Sequence, residues 1–282
     1  MQNQPKISVI VAVFNAQSTL QQCLESFTKQ SYKHKELIVI DGASTDGSIE
    51  ILSRNSVFID YWISEKDRGV FHAWNKGLKK VNGDWICFLG ADDYFWSESV
   101  LTNVAVQLNQ SQSNVQLVYG QVMLLSESGK PINLIGQAWP NVGKQLQKMM
   151  CLPHPGAMHR RNFFDKHGVF DETYRIAGDY EMLLRGFLDG GSQAVFVPDF
   201  ISAGMRHGGL SSSPINSLVV MQEMRKAQKK HTDTLPDITW IWSLTRIYLR
   251  LLIWKLFGEA AGKALVDLAR KMVGLPPYWT KI

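Results

Sequence analysis

Ile7-Ser8-Val9-Ile10-Val11-Ala12-Val13-Phe14-Asn15 is the stretch from which the fold can be read. Its apolar, mostly β-branched positions run on without polar alternation, which suits a strand buried on both faces of a parallel sheet. Downstream, Ser18 or Thr19 can cap a helix whose Leu20, Cys23, Leu24 and Phe27 share one face. A second strand over 37–40 stops at Asp41, and the turn Asp41-Gly42-Ala43-Ser44-Thr45-Asp46-Gly47 delivers the chain to a helix over 48–54. A weaker strand over 58–64, a helix over 70–81, the turn Asn82-Gly83-Asp84 and a strand over 85–89 complete the run. Such alternation predicts an α/β protein with a mostly parallel, Rossmann-like central sheet, flanking helices and right-handed crossovers.

Beyond Asp93 the pattern loosens into a mixed second half. A helix is expected over 98–108, a strand over 117–125, a short helix over 160–167, a longer one over 179–189 and a last strand over 193–197. Pro153-His154-Pro155-Gly156-Ala157 cannot be helical and is expected to line a cavity. The loop Arg206-His207-Gly208-Gly209-Leu210-Ser211 would follow the last strand.

With 282 residues and 45% hydrophobic content, one main domain over 1–215 and an appendage over 216–282 are expected. Cys23, Cys87 and Cys151 lack metal-ligand spacing and read as buried, reduced thiols of a cytosolic protein. Residues 221–282 hold 11 Lys and Arg against 5 Asp and Glu, whereas the first 220 hold 19 against 20. A basic excess confined to an apolar tail fits an anionic membrane surface and argues against a nucleic-acid partner. The stretch 238–257 is long enough to cross a bilayer, but Arg246, Arg250 and Lys255 interrupt it. On a helical wheel Thr239, Ser243, Arg246 and Arg250 share a polar stripe, so an in-plane interfacial helix is expected; packing on the protein's own core or on a partner subunit is the alternative. The opening Met1-Gln2-Asn3-Gln4-Pro5 has no secretory signature, so the catalytic part is expected in the cytoplasm, peripheral on the inner face of the membrane.

Acidic residues gather near predicted strand ends: Asp41, the Glu65/Asp67 pair, Asp92-Asp93 and, later, Asp179. Open α/β sheets place their ligand crevice there. Carboxylates collected on one rim call for a cation, and a divalent metal would also bind the phosphates of a nucleotide.

Taken in order, Ile7 to Asn15, Asp41 to Gly47, Asn75-Lys76-Gly77, Leu89-Gly90-Ala91-Asp92-Asp93 and Gly178-Asp179-Tyr180-Glu181 resemble the inverting family 2 glycosyltransferases with a GT-A fold, over about residues 5 to 212. Residues 64–77 resemble the branch that builds bacterial exopolysaccharides such as colanic acid, although His72 and Trp74 stand where that branch often has Asp and Met. The resemblance implies transfer of a sugar, of the hexosyl or N-acetylhexosaminyl type, from a nucleotide-diphosphate donor such as a UDP-sugar to an acceptor hydroxyl, with Mg2+ or Mn2+. The implied acceptor is a lipid-linked or polysaccharide glycan.

On that reading Asn15, Asp41, Asp67, Lys76, Asp92 and Arg206 bind the nucleotide sugar, and Asp92, Asp93 and His207 hold the metal. Asp41 can instead cap its own turn through Ser44 and Thr45, and Asp46 can cap the next helix. Where relatives often carry a further Asp two residues before Asp92, this chain has Gly90; Mg2+ keeps several waters, so one carboxylate can suffice. Asp179 is the expected general base and Glu181 a surface acid. His154 is expected to touch a sugar. The rival classes are a nucleotidyltransferase, which lacks its glycine-rich phosphate loop here, and a non-catalytic nucleotide-sugar-binding scaffold of a polysaccharide assembly complex.

Overall fold

The computed structural model describes residues 4–188, 190–210, 214–232 and 235–281. Its first half follows the βα alternation: β1 (Ile7–Val13), α1 (Leu20–Thr28), β2 (Lys35–Asp41), α2 (Ser48–Arg54), β3 (Tyr61–Ser64), α3 (Val70–Leu78) and β4 (Trp85–Gly90). β5 (Tyr94–Phe95) and α4 (Val100–Gln110) follow, then the long β6 (Val115–Leu125), β7 (Pro131–Ile135), α5 (Trp139–Leu146), β8 (Met158–Arg160), α6 (Arg161–His167), α7 (Gly178–Phe187) and β9 (Gln193–Arg206). Three helices close the chain: α8 (Pro214–His231), α9 (Ile238–Phe257) and α10 (Glu259–Met272).

All strands belong to one sheet in the order β3-β2-β1-β4-β8-β6-β9-β5, with β7 added beside β6. β3, β2, β1 and β4 are parallel, and β1 is central among them because its side chains are buried at nearly every position. The register pairs Val13 with Asp41, Asp41 with Ser64 and Ala12 with Gly90, so the loops after all four strands emerge on one rim. β8 then runs antiparallel to both β4 and β6 and turns the sheet into a curled, mixed one. Three residues sufficed for this central strand, too few for any periodicity to announce it.

Two apolar layers cover the sheet, one under α1, α2 and α4 and one under α3, α6 and α7. α3 can approach β1 closely because Gly77 has no side chain: a Cβ there would stand 2.6 Å from the Ile10 Cγ2. Asn75, next to it, is buried and clamps α3 to the loop before α7, its Nδ2 donating to the Phe170 carbonyl at 2.9 Å and its Oδ1 accepting from the Phe170 N–H at 3.0 Å. The cysteines are free thiols, Cys23 and Cys87 buried and Cys151 half-buried.

Two expectations change. The last strand does not stop near residue 197 but continues to Arg206, because Ile201 to Arg206 pair with Gln121 to Leu125 of β6 beyond an irregularity at which Asp199 takes a left-handed φ of 54°. Arg206 therefore ends a strand instead of opening a loop. The polar stripe of α9 is also divided: Arg246 is exposed, while Arg250 turns inward, stacks 4.3 Å from the Trp279 ring and donates to the Ser217 Oγ at 2.9 Å. Ser211, Asp189 and the Thr239 side chain lie outside the described residues. Among the described residues no helix is long and apolar enough to cross a membrane.

Candidate active site

A cavity of about 900 Å³ opens along the rim where β4 and β9 end, with β7 along one side. Asp92, Asp93, Arg206 and His207 line one part of it, and Asp179, at the first turn of α7, lines another together with Ile176, Ala177 and Tyr180. His154 and the two prolines beside it form a further wall with Trp74 and Phe88.

Asp92 and Asp93 follow β4 in a tight turn that leads to β5, too far ahead of α4 to serve as its cap. The Asp92 carboxylate folds back over Gly90: a Cβ at position 90 would lie 2.5 Å from Asp92 Oδ1 and 3.2 Å from Asp93 Oδ2. Asp93 is buried and accepts from the Gly90 N–H at 3.3 Å. Burial raises both carboxyl pKa values, and the neighbouring Asp92 raises that of Asp93 further, against the opposing charge of Arg206. Arg206 is fixed by Gln22 Oε1 and by the Glu127 carbonyl, and the segment after it crosses Asp92 so closely that a Cβ on Gly209 would sit 3.0 Å from Asp92 Oδ2.

This pair fits a hard divalent cation chemically: two adjacent carboxylates whose joint charge is disfavoured without one, on the wall of the cavity beside Arg206. The expected third ligand is not supplied. Among the described residues no group of three His, Cys, Asp or Glu side chains converges as a metal site. His207 instead packs its ring 6.2 Å from that of Tyr278, and burial lowers its pKa.

Asp179 stands at the positive end of α7 with its Oδ1 accepting from the Tyr180 N–H at 2.8 Å. Burial nevertheless raises its pKa to about 6, aided by the charge of Glu223. Glu223 reaches over from α8 and accepts from three successive backbone N–H groups, Arg175 at 2.7 Å and Ile176 and Ala177 at 2.8 Å, fixing the approach to α7. Its position on a helix outside the resemblance gave the sequence no signal for this.

Glu181 is not a surface acid. Its side chain is fully buried and meets Arg185 and Lys230 at 3.1 Å and His231 at 2.6 Å. Burial pushes its carboxyl up, but the hydrogen bond from His231 and the charges of Arg185 and Lys230 outweigh that and leave it below the usual range.

The remaining expected donor residues lie outside the cavity lining, Asn15, Asp41 and Asp67 at or just after the ends of β1 to β3 and Lys76 on α3. Asp41 is buried, and its carboxylate is occupied by the turn: it accepts from the Ser44 N–H at 2.9 Å, the Ser44 hydroxyl at 2.5 Å and the Ser64 hydroxyl at 2.6 Å. Asn15 is bound into the same turn, its Oδ1 accepting from the Thr45 N–H at 2.9 Å. Asp46 takes the N–H and hydroxyl of Ser48 and the N–H of Gln17, so it caps α2. Asp67 lies over Gly42, where a Cβ would stand 2.7 Å from its Oδ2. Lys76 pairs with Glu65 at 3.0 Å and donates to the Lys66 carbonyl, so in this structure it holds the 65–67 loop. Beside Gly42 stands Phe14, 66% exposed, which the sequence reading absorbed into the first strand.

His154 is buried, and its Nε2 lies 3.1 Å from that of His159. Burial lowers the His154 pKa to about 4, and burial together with the neighbouring His154 lowers that of His159 well below its usual value, so the pair is neutral and shares one proton along the contact.

The family description of glycosyl transferase family 2 matches residues 8–168, and the chain belongs to that family. A PGL/p-HBAD biosynthesis glycosyltransferase of Mycobacterium bovis is 26% identical over 215 residues, covering 75% of this chain and 81% of that protein. An uncharacterized glycosyltransferase of Mycobacterium tuberculosis is 31% identical over 193 residues, 67% of this chain and 71% of its own length. Among solved structures, a mannosyltransferase from Pyrobaculum calidifontis in complex with GDP-Man and Mn2+ superposes with a TM-score of 0.64 at 18% identity, over 99% of this chain and 84% of that one. Staphylococcus aureus TarS 1-349 in complex with UDP-GlcNAc gives 0.62 at 18% identity, over 94% and 77%. These likenesses show a shared α/β fold, with a curled mixed sheet consistent with the GT-A type.

Proposed function

We propose that the protein is an inverting glycosyltransferase that takes a sugar from a nucleotide-diphosphate donor to a hydroxyl of a lipid-linked surface glycan. The observation that carries this reading is that Asp92 and Asp179, 87 positions apart in sequence, line the same cavity. The nucleoside lies over the Asn15, Gly42 and Asp67 rim, with Phe14 as an aromatic platform and Asp41 shaping the turn beneath it. The diphosphate extends to Asp92, where Arg206 supplies positive charge. Asp92 and Asp93 would hold Mg2+ or Mn2+, which neutralises the leaving diphosphate when bound.

Asp179 takes the proton of the acceptor hydroxyl as that oxygen bonds to the anomeric carbon and the carbon–phosphate oxygen bond breaks, the electron pair leaving with the nucleoside diphosphate. A carboxylate with a pKa near 6 is mostly ionised at neutral pH yet basic enough for this task. Trp74 and His154, the latter kept neutral by burial beside His159, bound the sugar without adding charge.

The membrane reading is supported by α9, which exposes Trp242, Tyr248, Leu249, Leu252, Leu256 and Phe257 beside the exposed Arg246 and Lys255, and by α10, which exposes Leu265, Leu268 and Met272. The acceptor class rests on that surface.

Donor turnover is the test. Purified protein incubated with a panel of nucleotide sugars and Mn2+ should release nucleoside diphosphate, slowly even without acceptor. Pyrophosphate released from a nucleoside triphosphate would identify a nucleotidyltransferase instead, and no turnover of any donor a scaffold.

A further inference from the structure

The chain after α10 returns to the cavity. Asp267 of α10 is 6% exposed, and its carboxylate accepts from the N–H groups of Tyr278 at 2.9 Å, Trp279 at 3.0 Å and Thr280 at 2.7 Å and from the Thr280 hydroxyl at 2.7 Å. Ordering a short tail costs conformational entropy, which four hydrogen bonds to one ionised group offset. Their product is the placement of two aromatic rings: Tyr278 and Trp279 both line the cavity. Arg250, which is not part of the lining, covers one face of the Trp279 indole at 4.3 Å, and Trp254 meets it edge-on at 5.8 Å. The ring is thus backed from behind and presents its remaining surface to the cavity.

The chemistry of the chamber decides what that surface meets. The nucleoside-side residues Asn15, Asp41 and Asp67 are outside the lining, so the cavity begins at Asp92 and the space beyond it belongs to the transferred sugar and the acceptor. Ser217, Val220 and Met224 of α8 line the wall that Arg250 joins to this tail. A half-buried indole offers an apolar plane to the C–H face of a pyranose ring, with a polar edge for hydroxyl groups.

Resting on the glycosyltransferase reading above, we propose that Trp279, set in place by Asp267 and Arg250, is the platform on which the saccharide end of the acceptor packs, with Tyr278 beside it. It positions the acceptor and takes no part in bond breaking.

The full chain can be tested with octyl β-D-glucopyranoside, below its micelle threshold, as an acceptor-like probe. Saturation-transfer NMR should show ring protons in contact with the wild type, loss of that signal in Trp279→Ala, and its retention in Trp279→Phe and in Trp242→Ala, which alters an exposed indole on α9. The rise in melting temperature given by UDP or GDP with Mn2+ should be the same in all four proteins, which also shows that the variants fold. Undiminished ring contact in Trp279→Ala would overturn the proposal, as would loss in Trp242→Ala alone, or loss of the nucleotide shift together with the probe signal. Failure of the glycosyltransferase reading shows separately, as no nucleotide shift in the wild type.

Discussion

The Asp92 carboxylate occupies the space that a side chain at Gly90 would need, with Oδ1 2.5 Å from the position of a Cβ there. The acid that relatives often carry two residues earlier is therefore excluded as long as Asp92 keeps this conformation. Gly90 is part of how Asp92 is aimed.

Gly90→Ala forces Asp92 to rotate. Its affinity for a nucleoside diphosphate with Mn2+ should fall about tenfold, a change of about 1.4 kcal/mol, while metal-free binding stays as it was. Isothermal titration with and without a chelator measures both; equal affinity of the two proteins in Mn2+ would show that this Asp92 conformation does not serve the metal.

Asp179→Asn keeps the shape and the acceptor for the Tyr180 N–H but removes the base. Transfer should fall by about 100-fold or more, with donor affinity within about twofold of the wild type. The same variant should gain stability at high pH. Because the folded pKa of about 6 lies above that of an unfolded Asp, ionisation opposes folding, and the cost grows as pH rises from about 4 to 6 and then stays constant. The variant should melt above the wild type at pH 8, by an amount on the order of 1–3 kcal/mol, and the difference should vanish near pH 4.

The wild-type rate should fall on acidification as Asp179 takes up a proton. Plotted as log kcat/KM, the acid limb should bend near pH 6 and be absent from the residual rate of Asp179→Asn. A limb that persists unchanged in the variant would assign the titration to another group.

Glu181→Gln leaves Arg185, Lys230 and His231 facing a neutral amide in a buried setting. Loss of stability by about 2 kcal/mol or more is expected in urea unfolding, with donor turnover retained in what remains folded. A variant as stable as the wild type would mean that the cluster contributes nothing net.

Trp242→Glu with Leu249→Glu places two charges on the exposed face of α9. Flotation with vesicles containing anionic lipid should drop strongly for this double variant and fall with salt for the wild type. Vesicle binding equal to the wild type would remove α9 as the contact.

What the sequence disclosed depended on how local the cause was. β1, β2 and β4 are largely apolar runs that stop at or just before Asn15, Asp41 and Gly90, so their rim, and with it Asp92, could be read directly. The sequence predicts a last strand over 193–197, but pairing with β6 carries β9 on to Arg206. Glu181 was misread because its partners Lys230 and His231 lie about fifty positions away on another helix. Asp41 and Asn15 kept their predicted place at the strand ends, yet their side-chain oxygens are occupied by the turn that the same residues build. Tyr278 and Trp279 carried no signal at all, since only the position of Asp267 brings them to the cavity.

Glu223 joins two parts of the molecule that have different surroundings. Its carboxylate holds the strand of peptide ahead of Asp179, while the helix that bears it also packs on α9 with its exposed apolar face. Any tilt of α8 must either break three hydrogen bonds or drag the start of α7 with it. On the proposed reading, the carboxylate proposed as general base is thus mounted on a lever whose far arm rests on the face proposed to meet the lipid.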